Sequence, residues 1–90
     1  MQNTITQEKL EKYFSVTEEA LKKAKEASTK TKEAEEILDM ASRYVSDARH
    51  FEKKGDWTTA FAALNYAHGW LDAGARIGVF LVKDSRLFTV

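Results

Sequence analysis

Residues 51–60, FEKKGDWTTA, decide the fold of this 90-residue chain. Lys53 and Lys54 are typical of the last turn of a helix, and Gly55 suits the left-handed position just beyond it. Asp56 is a favourable N-cap for the helix that follows. Because two adjacent residues end one helix and begin the next, we expect an antiparallel helical hairpin here.

Two amphipathic stripes precede this junction. Apolar residues recur every three or four positions from Leu10 to Ala27 and again from Ala34 to Phe51, which is the spacing of one face of a helix. The stripe changes phase at residues 28–31, so the sequence predicts a turn there. One long continuous helix stays open as the alternative, because residues 28–31 contain neither glycine nor proline.

The segment after the junction is apolar almost all round. Residues 57–71 carry no charged side chain, which is typical of a helix at the centre of an assembly. This charge-free run is too short to span a bilayer, so no membrane segment is expected. We expect the tail residues Leu87, Phe88 and Val90 to fold back over the bundle as an extended flap.

These patterns predict an all-α protein with an up-down-up three-helix bundle in one domain, residues 1–90. The helices are expected at about 5–27, 32–54 and 57–82, and an extended tail at 83–90. The absence of cysteine excludes disulfides and thiolate chemistry. A formal net charge of zero disfavours a dedicated nucleic-acid binder. The start, MQNTITQEKLEKYF, lacks the apolar run of a secretion signal, so a cytoplasmic location is expected.

Helices two and three carry a recognisable succession of motifs. Residues 40–80 contain Y-x-x-D-A-x-x-F, G-D-x-x-x-A-F, N-Y-A-H-G-W-L-D-A-G and R-x-G in that order. This succession resembles the archaeal Domain of Unknown Function family 357. The resemblance implies a left-handed three-helix bundle and an archaeal, cytoplasmic protein. It implies no activity, and therefore no catalytic or cofactor-binding residues.

Polar residues of helix three form a candidate binding seam. Asn65, His68, Asp72 and Arg76 are three or four positions apart and therefore share one face, with Asp47 of helix two as a further candidate. The structural interpretation is that Asp72 pairs with Arg76 or with a base on helix two, while Asn65 and His68 cap a polar seam. A ligand-binding seam is the functional alternative. No metal-binding motif such as H-E-x-x-H is present, so neither a metal nor a cofactor is expected.

Helix three also carries a predicted contact surface. Tyr66 and Trp70 are expected to be core or interface anchors. Helices one and two can cover only part of a helix that is apolar all round, so the rest would lie beneath the tail or against a second copy. The residues of this predicted interface are Ala63, Ala73, Gly74, Ile77, Gly78 and Phe80. We therefore interpret the chain as a non-enzymatic interaction or scaffold module that forms a homodimer through helix three and the tail, with an unidentified protein as the other candidate partner.

Arg43 and His50 support a different class of function. Six residues separate them, which falls within the Arg-x4–6-His motif of certain compact helical ribonucleases. In such enzymes the histidine acts as general base and the arginine stabilises phosphate charge. A helical ribonuclease or nucleotide-acting enzyme is therefore the alternative. The ordinary interpretation of the pair is two solvated side chains on a charged helix.

Overall fold

The computed structural model describes residues 5–89, and it folds them into three helices. No strand element forms within that range, so the protein is all-α, as the sequence predicts. Residues 1–4 and residue 90 lie outside the described part of the chain, and with them the expected role of Val90. The helices are α1 (Gln7–Glu26), α2 (Lys32–Lys53) and α3 (Trp57–Ile77).

Each helix begins at a side-chain cap. The Thr6 hydroxyl accepts a hydrogen bond from the Lys9 amide at 3.1 Å, and the Thr31 hydroxyl accepts one from the Ala34 amide at 3.2 Å. The interruption at residues 28–31 is thus a turn between two helices, and the alternative of one continuous helix is wrong. The turn needs no glycine because Lys30 itself adopts the left-handed conformation, with φ of 63°.

The junction between α2 and α3 has the predicted form. Gly55 is left-handed with φ of 81°, and its amide donates to the Glu52 carbonyl while the Asp56 amide donates to the Phe51 carbonyl. This pair of bonds is the Schellman arrangement that closes a helix. The Asp56 carboxylate then caps α3 by accepting the Thr59 amide at 3.1 Å.

The third helix ends at Ile77, five residues before the predicted end at Val82. Gly78 is left-handed with φ of 88°, and the amides of Gly78 and Val79 donate to carbonyls one turn back, to Ala75 and Gly74. Gly78 is therefore a helix stop, the same device as at the α2–α3 junction. Gly78 is also exposed, so its place on the predicted interface stays a prediction.

The segment after Gly78 completes the core. It pairs with the α1–α2 turn, where the Thr29 amide donates to Val79 and the Leu81 amide donates to Ala27. Phe80 and the tail residues Leu87 and Phe88 are buried, as expected for the last two. The tail is not extended throughout, because residues 85–87 form a turn in which the Leu87 and Phe88 amides donate to the Asp84 carbonyl. The three buried side chains pack where α1 and α2 supply mainly alanines, namely Ala20, Ala24, Ala34 and Ala41. The segment after Gly78 thus supplies the aromatic side chains of this half of the core, beside Ile37 of α2 and Leu71 of α3.

The other half of the core lies near the α2–α3 junction. Leu10, Phe14 and Leu64 are buried there among alanines of α2 and α3. Tyr13 packs edge-on against Phe61 with ring centroids 4.7 Å apart. Leu10 of α1 thus lies with Leu64 of α3, whereas Ala24, later in α1, lies with Leu71 in the other half of the core. The two helices therefore run in the same direction. The left-handed sense of the bundle stays a prediction. Within the described range, no helix combines the length and the apolar character needed to cross a membrane.

Candidate functional site

One face of α3 is covered by neither the other helices nor the tail. Tyr66 is 63% exposed, Trp70 37% and Ile77 64%, and Gly69 and Ala73 lie exposed between them. These positions are three or four residues apart and therefore form one stripe along the helix. We call these five residues the outer stripe of α3. None of them carries a charge.

The outer stripe contains a hollow centred on Gly69. Its volume is about 270 Å³, and its lining is Asn65, Tyr66, Gly69, Trp70 and Ala73. A Cβ atom added at Gly69 would meet nothing within 4 Å, so the glycine faces open space. Positions 66, 69, 70 and 73 have the spacing i, i+3, i+4, i+7, which surrounds an inserted side chain where two helices pack.

The structure corrects the predicted burial of the aromatic pair. Tyr66 and Trp70 are not core residues of the described chain; instead the Tyr66 ring stacks on Tyr44 of α2, with centroids 5.4 Å apart and planes at 23°. Tyrosine and tryptophan are apolar all along the ring and polar only at one atom, so either a core or a surface accommodates them. Their role as interface anchors stays a prediction.

The predicted interface residues divide into two groups. Three of them are buried within the chain itself: Ala63, Gly74 and Phe80. The Phe80 ring lies directly on the α3 backbone at Gly74, where a Cβ atom would overlap it. Ala73, Ile77 and Gly78 are exposed. The close approach expected at Gly74 therefore occurs, and it is made by Phe80 of the same chain.

The polar seam lies in a second groove, between α1, α3 and the tail. Asn65, His68 and Asp72 line it together with Thr17 and Arg86 among others, around a volume of about 390 Å³. The His68 Nε2 atom lies 2.6 Å from the Leu87 carbonyl oxygen, and Nδ1 lies 3.4 Å from the Thr17 hydroxyl. Because a carbonyl oxygen can only accept a hydrogen bond, Nε2 carries the proton and donates the hydrogen bond to the tail. His68 therefore ties the tail to α3.

Asp72 holds the tail at a second point. Its carboxylate accepts the Thr89 amide at 3.0 Å and the Thr89 hydroxyl at 3.2 Å. The sequence interpretation paired Asp72 with Arg76 or with a base on α2, whereas the structure pairs it with the tail. Arg76 is exposed beside it, and Asp47 is exposed on α2, outside the residues that line the groove. The seam thus assembles only in part.

Arg49 makes an inter-helix contact that the sequence interpretation missed. Its guanidinium donates to Glu18 of α1 at 3.0 Å and to Glu52 of α2 at 2.9 Å, and it lies 3.7 Å above the Phe14 ring. Burial lowers the pKa of Arg49, but these hydrogen bonds outweigh it and raise the pKa above its ordinary value. The pKa of Glu11 is raised as well, mainly by a hydrogen bond with Glu52. This cluster fastens α1 to α2.

Arg43 and His50, the residues of the enzyme hypothesis, lie on the outside of α2. The Arg43 side chain is 72% exposed and its Nε donates to Asp39 at 2.9 Å. His50 is exposed, with its ring edge-on to Phe51 at 5.5 Å. Neither residue lines the hollow at Gly69 or the groove at His68. Across residues 5–89, no three side chains of His, Cys, Asp or Glu come together in a way that could hold a metal ion.

These features define a class of small all-α proteins in which three helices are closed at one end by a C-terminal segment. A family model described as "Protein of unknown function (DUF357)" matches residues 12–80, and the chain therefore belongs to this family. The match confirms the resemblance seen in residues 40–80 and extends it into α1. No curated protein and no solved structure matches the chain.

Proposed function

We propose that the protein is a non-enzymatic interaction module, and that the outer stripe of α3 docks a helix of a protein partner. One observation carries the proposal: Tyr66 and Ile77 are more than 60% exposed in a stripe of five residues that carry no charge. Single exposed apolar residues are common, but a continuous stripe of them marks an interaction surface. We place this role in the cytoplasm of an archaeal cell.

The composition of the stripe supports docking of a helix. Tyrosine and tryptophan dominate the binding energy of protein interfaces, especially beside a pocket, and Tyr66 and Trp70 flank the hollow at Gly69. An amphipathic partner helix presents side chains at i, i+3, i+4 and i+7, which matches the spacing around this hollow. The partner would insert one apolar side chain between the two aromatic rings.

The charge distribution also favours α3 over the other helices. Of the 28 charged residues, 23 lie in residues 1–56, so the outer faces of α1 and α2 would lose hydration of charges on binding. Arg43 is already paired with Asp39, and neither it nor His50 lines one of the two α3 grooves. An interaction surface on α3 therefore has more support than a ribonuclease site on α2.

Site-specific photo-crosslinking tests the proposal. A photoreactive phenylalanine derivative replaces Tyr66 within the stripe, where it keeps an aromatic ring, or, as the control, exposed Ser46 on α2, and the cells that produce each variant are irradiated. We expect a discrete crosslinked species from position 66 and none from position 46. Equal crosslinking at both positions, or none at position 66, would contradict docking at the stripe. The mass of the species shows whether the partner is this chain or another protein.

A further inference from the structure

Building on the proposed function, we infer that the partner on the outer stripe is a second copy of this chain. The two copies are related by a two-fold axis that crosses α3 between Gly69 and Trp70, so their α3 helices pack antiparallel. A two-fold interface uses the same patch on both copies and therefore has to be self-complementary. Size, charge and the position of a glycine each indicate such complementarity here.

The sizes of the exposed side chains match in this register. Placing Gly69 opposite Trp70 of the second copy also places Ala73 opposite Tyr66 and Ala62 opposite Ile77. All six residues are exposed in the described chain. Every large side chain therefore meets a small one, which is what lets two helices approach closely. The hollow at Gly69, about 270 Å³ in volume, is the space into which the second copy's indole would insert.

The charges allow the same arrangement. The charged residues of α3 are Asp72 and Arg76. Asp72 is turned to the tail, where it binds Thr89, so no like charges meet at the axis, where a two-fold interface would force them together. Arg76 is the nearest basic residue on this side of α3. At about 1.5 Å per residue, the two copies of Arg76 lie about 20 Å apart along the helix. This distance exceeds the screening length of about 8 Å in physiological salt.

Gly69 itself has no function inside the single chain. Its Cβ position is empty to 4 Å and its backbone is ordinary helix, so neither packing nor backbone geometry requires a glycine. A glycine inside a helix lowers the stability of the helix relative to alanine. A side chain from a second copy that packs against the bare backbone would explain why this position is a glycine.

The contact is one helix on another, and it is small. From Ala62 to Ile77 the stripe is about 22 Å long at about 1.5 Å per residue. Interfaces of this size bind weakly, and we expect a dissociation constant on the order of micromolar. The dimer would therefore exchange with the monomer at ordinary laboratory concentrations.

Sedimentation velocity across a range of concentrations tests the inference. We expect a monomer–dimer equilibrium for the parent chain and a dissociation constant about tenfold higher or more for Gly69→Ala, because the methyl group keeps the second copy's indole away from the backbone at position 69. Ala73→Glu should abolish the dimer by placing a carboxylate in the stripe. The control Ser46→Glu adds the same charge on the exposed face of α2 and should leave the dimer unchanged. Circular dichroism of each variant, in the concentration range where it is monomeric, shows that it folds.

Two results would overturn the inference. One is a parent chain that stays monomeric at millimolar concentration; the other is a Gly69→Ala variant that dimerises as well as the parent. If position 66 still crosslinks to a different protein in either case, the proposed function stands and only the second copy is excluded. If position 66 crosslinks to nothing and the parent chain is monomeric, both proposals fail.

Discussion

Replacing Gly74 by alanine tests the packing of the tail on α3. The added methyl group would overlap the ring of Phe80, which is 1% exposed and packed among buried side chains of all three helices. The ring therefore has no open space into which it could move. The same replacement at Gly69, five residues earlier in the same helix, meets open space. The two positions thus separate the effect of packing from the effect of helix propensity.

We expect Gly69→Ala and Gly74→Ala to change the free energy of unfolding in opposite directions. Alanine in place of glycine raises helix stability by about 0.5–1 kcal/mol, and we expect Gly69→Ala to show this gain in the monomer. At Gly74 the gain is opposed by overpacking, which costs about 1–3 kcal/mol. Because the Phe80 ring is enclosed, we expect a net loss of about 1–2 kcal/mol. For a domain of this size, each kcal/mol corresponds to a shift of roughly 4–8 °C in Tm.

Urea unfolding followed by circular dichroism measures both variants at a concentration low enough to keep the chain monomeric. Gly74→Ala combined with Phe80→Leu provides the matched test, because a smaller side chain at position 80 relieves the overlap. The destabilisation caused by Gly74→Ala should then be smaller in the Phe80→Leu background than in the parent chain. If Gly69→Ala and Gly74→Ala change the free energy of unfolding by the same amount, the packing argument is wrong.

Three further predictions concern the cap, the tail and pH. Asp56→Ala should lower the free energy of unfolding by about 1 kcal/mol while Asp56→Asn preserves it; an unchanged Tm in the alanine variant would contradict capping. Phe88→Ala should cost about 3–5 kcal/mol, and a loss below about 1 kcal/mol in urea unfolding, the level of ordinary surface changes, would mean that the tail is not part of the core. A hydrogen bond from Arg86 lowers the pKa of Glu19 below its ordinary 4.5. The stabilisation that this ion pair gives the folded chain is therefore complete above pH 4.5 and is lost as the pH falls through the lowered pKa. The difference in stability between the parent and Glu19→Gln should therefore disappear in acid, and a difference independent of pH would refute the ion pair.

The sequence predicted the helices well because their ends carry local signals. The starts of α2 and α3, at Lys32 and Trp57, are where the Thr31 and Asp56 caps place them. The end of α3 was predicted five residues too late because apolar residues continue beyond Gly78, through Phe80 to Val82. Hydrophobic periodicity alone does not distinguish a buried helix from a buried tail in so short a run. The decisive feature is the left-handed conformation of Gly78, which helical spacing does not distinguish from any other small residue of the stripe.

The candidate site was predicted in part. Residues close in the sequence were placed together correctly, whereas contacts between residues far apart in the sequence were not predicted. Asn65, His68 and Asp72 were placed on one face by helical spacing, and they do line one groove. The partner of Asp72 is Thr89, 17 residues away, and Arg49 reaches Glu18 across 31 residues. Helical spacing gives no information about such distant contacts. It also does not show which side of an all-apolar helix is covered.

The way α3 divides its surface leaves the outer stripe uncovered within residues 5–89, and this supports the proposed docking there. One side, with Leu64 and Leu71, faces the core. A second side is covered by the tail, through Phe80 on Gly74 and through the bonds of His68 and Asp72. The tail's large side chains fill the alanine-rich half of the core, so they are not free to cover the third side as well. Any cover for the outer stripe must therefore come from outside residues 5–89, and a second copy of α3 has the matching sequence of large and small side chains.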